Sequence, residues 1–395
     1  MTTPIDTPLA DPRLLNLRVA NHSEYEHKVV WSEGGLPIAT YHIDRHRLIR
    51  MSAQVRMRLQ ELVKQARDER KGGVAQCGGQ LKNLAVAGNE LFETLFRASD
   101  DRQGNADKAK LRLQRHHPRR IHVIVDPLIS VPWGLVFVSD PTAQPGGPAD
   151  TDISRYGDFW CLRHWLCTTF ERIEHPDFDG PIADTSFHVL PVFNRAVLQS
   201  TQAALTPDEL AGLNQHFLAR EPVYSKQDLL QRWKGMADRH GLVYFVCHAN
   251  GTNLELGVND LITIDDFTMK LIPKGRRDES AAYLFFLNGC ITAVGEAGGG
   301  FLEATGTPGS LGFIGTESKV PDVFAMRFGL AFVRQLLQSG DPLFRVMDTL
   351  RRRHWPLGLL YSIYCFPLLQ VQPAVAPPPP DESNYSTMLL GSNDL

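Results

Sequence analysis

Apolar residues recur at intervals of three and four through the stretch 45–70, which contains MSAQVRMRLQELVKQARDER, and this is the spacing of one helix face. The glycine pairs Gly72-Gly73 and Gly78-Gly79 interrupt the pattern before it resumes. A second amphipathic helix is predicted over 81–97, with Leu84, Ala87, Leu91, Leu95 and Phe96 on one side. Ahead of them the chain is mixed, with an expected strand at 14–19. The run IHVIVDPLISVPWGLVFVSDP at 121–141 reads as a buried strand, a turn at Asp126-Pro127 and a second apolar run after Pro132-Trp133. Residues 142–152, rich in Pro, Gly, Ala and Asp, read as a loop. The aromatic stretch 159–170 is a packed helix or strand.

From about residue 185 strands and helices alternate. Strands are expected at 187–193, 242–247 (LVYFVC), 283–287 and 312–315, and helices at 206–218, 225–239, 262–269, 299–305 and 323–338. Thr206 with Pro207 at the first helical position, and Ser225 with Asp228 three residues on, carry helix-start chemistry. Strands with no polar alternation are covered on both faces, and helical connections between them make neighbouring strands parallel. The expected fold class is therefore α/β, a mostly parallel sheet flanked by helices. The tail from 371 holds four consecutive prolines at 377–380 and reads as extended or disordered.

Composition narrows the classes. The 395 residues carry 41 basic and 44 acidic side chains, and a net charge of −3 gives no general attraction to nucleic acid or anionic membrane. The one basic stretch, 102–120, has no aromatic for base stacking and reads as a solvated linker face. No run approaches the length of a membrane-spanning helix, and the first thirty residues show no secretory pattern. The six cysteines have no framework spacing, so a cytoplasmic protein with reduced thiols is expected. No CxxC or HxxxH pairing suggests a metal, no phosphate-binding loop is complete, and no cofactor is expected.

In an open parallel sheet the chemistry lies beyond the carboxyl ends of the strands. One such end delivers His248-Ala249-Asn250-Gly251, and the other Asn288-Gly289-Cys290. If the two strands are neighbours, an imidazole and a thiol are presented side by side. The thiolate is the nucleophile, and a nearby imidazole takes its proton or, as a cation, stabilises the anion. Gly251 and Gly289 permit close backbone approach, and the Cys290 amide is a candidate oxyanion donor. The other five cysteines read as small buried hydrophobes, Cys247 among them, pointing away from the His248 face.

From 242 to about 369 the sequence resembles the CHAT domain, a caspase-like protease domain associated with tetratricopeptide repeats. The resemblance rests on YFVCHANG, on FLNGC and on GTPGSLGFIGTESKVPDVFAMRFGLAFVRQLL; upstream, GNELFETLF and HVIVDPLISVPWGLVFVSD are similar to the family's helix and hairpin. It implies a caspase-like cysteine endopeptidase related to caspases, separase and gingipains, with His248 the catalytic histidine and Cys290 the nucleophile. Residues 1–175 would be a pseudo-protease-like lobe, 176–370 the catalytic lobe and 371–395 the Pro-rich tail.

The sequence departs from the family at Ala249, where Gly is usual, and at Asn288-Gly289, where a small pair precedes the Cys. A tryptophan frequent in the family is replaced around Glu317-Ser318. No tetratricopeptide array is present, so a sensor or activator would be a separate chain. Glu317 and Asp322 fall where related proteases line the S1 pocket, which would favour a basic P1 residue; Asp322 is equally placed to cap the helix beginning at 323. The expected partner is a protein substrate, such as a gasdermin-like pore former or another bacterial defence effector. The alternative is a catalytically quiet scaffold that docks a partner.

Overall fold

Strict alternation of buried and solvent-facing positions makes the first three strands. β1 (Leu14–Asn21) buries Leu15, Leu17 and Val19, β2 (Glu26–Glu33) buries His27, Val29 and Trp31, and β3 (Leu36–Asp44) buries Ala39, Tyr41 and Ile43. They pair antiparallel, β1 with β2 and β2 with β3. The structure, a computed structural model, describes residues 14–373 apart from 69–72, 98–103, 116–119, 127, 142–150, 171–181, 184–186, 235–239, 272–282, 295–299, 306–309 and 366–368.

The chain leaves β3 directly into α1 (Arg45–Arg67), where the Asp44 carboxylate accepts from the Arg47 amide at 2.6 Å and satisfies one orphan donor of the first turn. α1 buries Leu48, Val55, Leu59 and Leu62, and α2 (Gly78–Phe96) packs beside it. A buried chain of hydrogen bonds ties sheet to helix: Trp31 Nε1 donates to Tyr41 Oη at 2.8 Å, and Tyr41 Oη donates to the Leu95 carbonyl at 2.8 Å. α3 (Asn105–Arg115) packs against β3. Part of the basic stretch expected to be a linker is thus a helix, with Ala106, Ala109 and Leu113 buried and its charges outward.

β4 (Arg120–Val125) runs parallel to β1, and β5 (Trp165–Phe170) follows α4 (Trp160–Arg163) and runs parallel to β4. The sheet order is β3-β2-β1-β4-β5. The apolar run after Pro132 does not return as the second arm of a hairpin. It forms a buried single turn at Trp133–Leu135 and one isolated bridge, Phe137 to Phe159.

The second sheet is built from β7 (Phe187–Phe193), β8 (His240–Val246), β12 (Tyr283–Asn288), β13 (Ser310–Thr316) and β14 (Tyr361–Cys365), preceded by the short β6 (Ile182–Ala183). Between β7 and β8 lie α5 (Arg195–Gln202), α6 (Pro207–His216) and α7 (Lys226–Lys234). α6 opens on a full capping box, Thr206 with Glu209. Between β8 and β12 come β9 (His248–Ala249), β10 (Asn253–Gly257), β11 (Asp260–Thr263) and α8 (Ile264–Asp266), which runs on into a π-helical turn at Phe267–Leu271. α9 (Phe301–Thr305) precedes β13; α10 (Asp322–Gln338) and α11 (Leu343–Arg353) precede β14.

β7, β8, β12 and β13 are parallel, every residue of β12 and β13 is buried, and β14 joins antiparallel at the edge. Val371–Gln372 forms β15, parallel to β6, so the expected tail begins as a strand. The proline run lies outside the described residues.

The two sheets abut through β5 and β14, where Phe170 stacks on Tyr364 at 5.9 Å and Cys167 Sγ contacts the Cys365 carbonyl at 3.1 Å. Among the described residues no helix is long and apolar enough to cross a membrane.

Candidate active site

Register decides what meets at the carboxyl edge of the second sheet. β8 and β12 are immediate neighbours, and the parallel pairing ends with Leu287 opposite Phe245 and Asn288 opposite Val246. His248 and Cys290 each lie two residues beyond that final pair. The two loops are also in contact: a Cβ built on Gly289 would stand 2.9 Å from Ala249 Cβ and 2.9 Å from the Cys247 carbonyl oxygen. No larger residue fits there without pushing the His248 strand end away from the Cys290 turn.

Beneath the thiol the strand end is anchored by a buried polar network. Asn288 Nδ2 donates to Tyr244 Oη at 2.9 Å and to the Ala325 carbonyl at 2.7 Å, and Tyr361 Oη donates to Asn288 Oδ1 at 2.8 Å. Gly329 on α10 lies against the Tyr244 hydroxyl, so this part of the helix has room for no side chain. Above the network the turn is held by β13. The Thr292 Oγ1 donates to the Leu287 carbonyl at 2.9 Å, the Thr316 amide to Thr292 Oγ1 at 3.0 Å, and the Thr316 hydroxyl to the Gly289 carbonyl. The Ile291 amide reaches the Ser318 carbonyl at 3.3 Å and the Ala293 amide the Thr316 carbonyl at 3.0 Å. Ile291, directly after the cysteine, has φ of 59°, a left-handed conformation that a β-branched residue rarely adopts.

Cys290 is the half-exposed member of the six cysteines; the other five are buried. Burial pushes its thiol above the ordinary value, and the Asp322 carboxylate acts in the same direction. The backbone at Val320 and the cations of Lys319 and Arg67 pull it back. Sγ stands 4.0 Å from the Val320 carbonyl. Cys247 is fully buried, and its thiol is pushed up by burial and by its neighbour Cys290.

His248 is exposed at the start of a small antiparallel sheet, order β11-β10-β9. Its partner across β9 and β10 is Glu255, a residue that spacing along the sequence does not single out. The signal available is the alternation NLELG, with Leu254 and Leu256 buried and Glu255 between them. Directly opposed residues of an antiparallel pair share a face, so Glu255 lies on the His248 side. The strand is held at this edge by Asn194 at the end of β7, whose Nδ2 donates to the Glu255 carbonyl at 3.0 Å. Gly251 has φ of 88° and sits at the tip of the β9–β10 turn, where the Asn250 side chain accepts from the Thr252 and Asn253 amides at 3.2 and 2.9 Å.

The two acidic residues expected at S1 have separate surroundings. Glu317 has a wholly buried side chain, ion-paired to Arg56 of α1 at 2.8 Å, with Tyr364 Oη 3.5 Å away. Its charge is directed into the seam between the two sheets. Asp322 is exposed and near enough to Cys290 to influence it. It is not the helix cap: Pro321 occupies that position with extended backbone and no side-chain bond, and Asp322 is the first helical residue. A carboxylate there still complements the positive end of the helix.

No protein-family model matches the sequence, and no curated protein does. A solved structure does: the separase–securin complex of Saccharomyces cerevisiae, with a TM-score of 0.51 at 10% identity, covering 91% of this chain. The chain spans 30% of the length of that separase chain. The likeness is one of fold, and it supports a caspase-like fold for this chain.

Proposed function

We propose that the protein is a cysteine endopeptidase with a His248–Cys290 dyad, the first sheet with its helices forming a pseudo-protease-like lobe and the second the catalytic lobe. The observation that carries this reading is the β8–β12 register, which sends both residues to one edge, two positions past their last pair. The separase-like fold supports it, separase being among the proteins to which the sequence resemblance points.

In this reading His248 takes the thiol proton, and Cys290 Sγ attacks the scissile carbonyl carbon. The resulting oxyanion is met by backbone amides of the Cys290 turn and the Gly251 loop. The intermediate collapses, the C–N bond breaks, and the histidine returns the proton to the departing amine. Water activated by the same imidazole then hydrolyses the thioester and restores the thiol. Asp322, exposed beside the thiol, is the S1 residue we favour for a basic P1 side chain, Arg or Lys. The substrate class is a protein cut at a defined site, such as a gasdermin-like pore former or another defence effector, with a separate activating chain.

A second reading has one observation in its favour. Burial and the Asp322 carboxylate favour the neutral form of the Cys290 thiol, which suits a quiet scaffold as well as a protease awaiting its activator. Mapping new protein N-termini in cells expressing wild type or Cys290→Ala, with genomic neighbours co-expressed, separates the two. Termini dependent on Cys290 and sharing a preceding Arg or Lys are expected, and Asp322→Ala should erase that shared residue. Identical termini in both samples with every neighbour would leave the scaffold.

A further inference from the structure

A second cluster of chemistry-bearing side chains lies in the other half of the molecule, where β1 turns into β2. His22 follows the last residue of β1, Glu26 opens β2, and His42 is near the end of β3. Register makes them neighbours. Glu26 pairs with Asp44 and Lys28 with His42, so Glu26 and His42 are diagonal neighbours on one face of the sheet. The turn brings in His22: the His22 and Ser23 amides both donate to the Glu26 carbonyl, at 3.2 and 3.1 Å, and Ser23 Oγ accepts from the Tyr25 and Glu26 amides at 3.2 and 3.1 Å. The two imidazoles stack at 4.2 Å, and one ligand atom from each of the three residues lies within 4.8 Å of the others.

We propose that His22, Glu26 and His42 form a binding site for a borderline divalent cation of the zinc class. Two imidazole nitrogens and one carboxylate oxygen are the donor set such ions favour, whereas magnesium and calcium call for oxygen throughout. Ligand bonds of about 2.0–2.2 Å place tetrahedral donors about 3.3 Å apart. The cluster closes to that spacing by side-chain rotation, led by His22, which is exposed, while Glu26 and His42 are half-buried. A water completes the fourth position. Beside the set, the Asp44 carboxylate caps α1, and Lys28, across from His42, is exposed.

The site lies where β3 enters α1, because the Arg45 amide donates to the Tyr25 carbonyl at 2.8 Å. A bound ion would tie the turn, β3 and the start of α1 together. Spacing rules for metal motifs do not find this set, since His22 lies in the β1–β2 turn, Glu26 on β2 and His42 on β3, and they meet through the turn and the β2–β3 register.

Because a thiol and a histidine at the candidate active site also bind zinc, the test uses the full chain carrying Cys290→Ala, stripped with chelator. Zinc is titrated by calorimetry, cobalt by its visible absorption, and magnesium serves as a control. The expected result is one zinc equivalent, a raised melting temperature and no magnesium binding. His22→Ala, Glu26→Gln and His42→Ala should each weaken zinc by about tenfold or more. His22 is exposed, so its variant isolates ligation from folding. Absence of zinc binding, or binding untouched by His22→Ala and His42→Ala in chains that melt normally without metal, would overturn the proposal. Neither outcome depends on whether the protein is a protease.

Discussion

Arg56 and Glu317, 261 residues apart, form a buried ion pair at 2.8 Å that joins helix α1 of the first half to the end of β13 in the second. Arg56 also donates to Ser130 Oγ at 2.8 Å, and Ser130 Oγ to the Ala293 carbonyl at 3.3 Å. Glu317 stands between Thr316 and Ser318, the two residues that hold the Cys290 turn. The pair is thus one step from the candidate nucleophile, although neither member touches it. Truncating one partner strands a buried charge, which costs about 3–5 kcal/mol, whereas replacing both with apolar groups is often nearly neutral. Arg56→Met should therefore lower the melting temperature sharply, and Arg56→Met with Glu317→Met should recover most of the loss. If the double variant regains stability yet its Cys290 reacts more slowly with an alkylating agent than in wild type, the pair positions the turn as well as stabilising it. Equal melting temperatures for wild type and Arg56→Met would contradict the buried-pair account.

Ile291 bears the strain of the turn. A left-handed backbone costs an L-residue about 1–2 kcal/mol, and glycine avoids that cost. Ile291→Gly and Ile291→Ala both remove the side chain, so their difference isolates the backbone. The glycine variant should be more stable than the alanine variant by about 1 kcal/mol in denaturant melts. Equal midpoints would mean the turn relaxes and stores no strain.

Charges around the thiol set its pH response. Burial and Asp322 favour the neutral form, while Lys319 and Arg67 favour the thiolate. Alkylation of Cys290 by iodoacetamide should accordingly rise with pH around a midpoint above that of an ordinary thiol. Asp322→Asn removes a repelling charge and should move the midpoint down; Lys319→Ala and Arg67→Ala should move it up. Mass spectrometry of the Cys290 peptide reads each rate, and a midpoint that stays fixed in all three variants would sink the electrostatic account. Arg67 ends α1, so this measurement also reports whether the first half reaches the thiol.

How much of this was legible before the structure depends on where the information lies. The strands ending at Val246 and Asn288 announce themselves as uninterrupted apolar runs, and Thr206 opens a helix through chemistry contained in four residues. Their carboxyl ends then single out His248 and Cys290 without any distance being known. β2 and β3 escape such a reading because only every second residue is buried, and their outer faces are mixed: Glu26, Lys28, Val30 and Ser32 on one, Ile38, Thr40, His42 and Asp44 on the other. α3 reads as a solvated linker because the buried side among its described residues is small, Ala106, Ala109 and Leu113. Asp322 looked like a cap, but Pro321 already supplies the extended backbone that ends the loop. The resemblance to related proteases sets Glu317 near the pocket, and its ion pair with Arg56, remote in sequence, shows only in the fold. Glu255, like the His22 cluster, emerges only from pairing across strands.

Glu255 makes the most demanding claim about the proposed dyad, because it shares a face with His248 and orients the imidazole in that reading. General acid–base catalysis contributes about 10²–10⁴-fold, and a misoriented imidazole forfeits part of it. Once a substrate is in hand, Glu255→Gln should lower kcat on the order of tenfold to a hundredfold with KM little changed. Glu255→Asp keeps the carboxylate and should restore part of the rate. A merely structural Glu255 behaves differently: both variants would lower the melting temperature alike, and the aspartate would restore none of the rate. That pattern would return the histidine to acting without an orienting carboxylate.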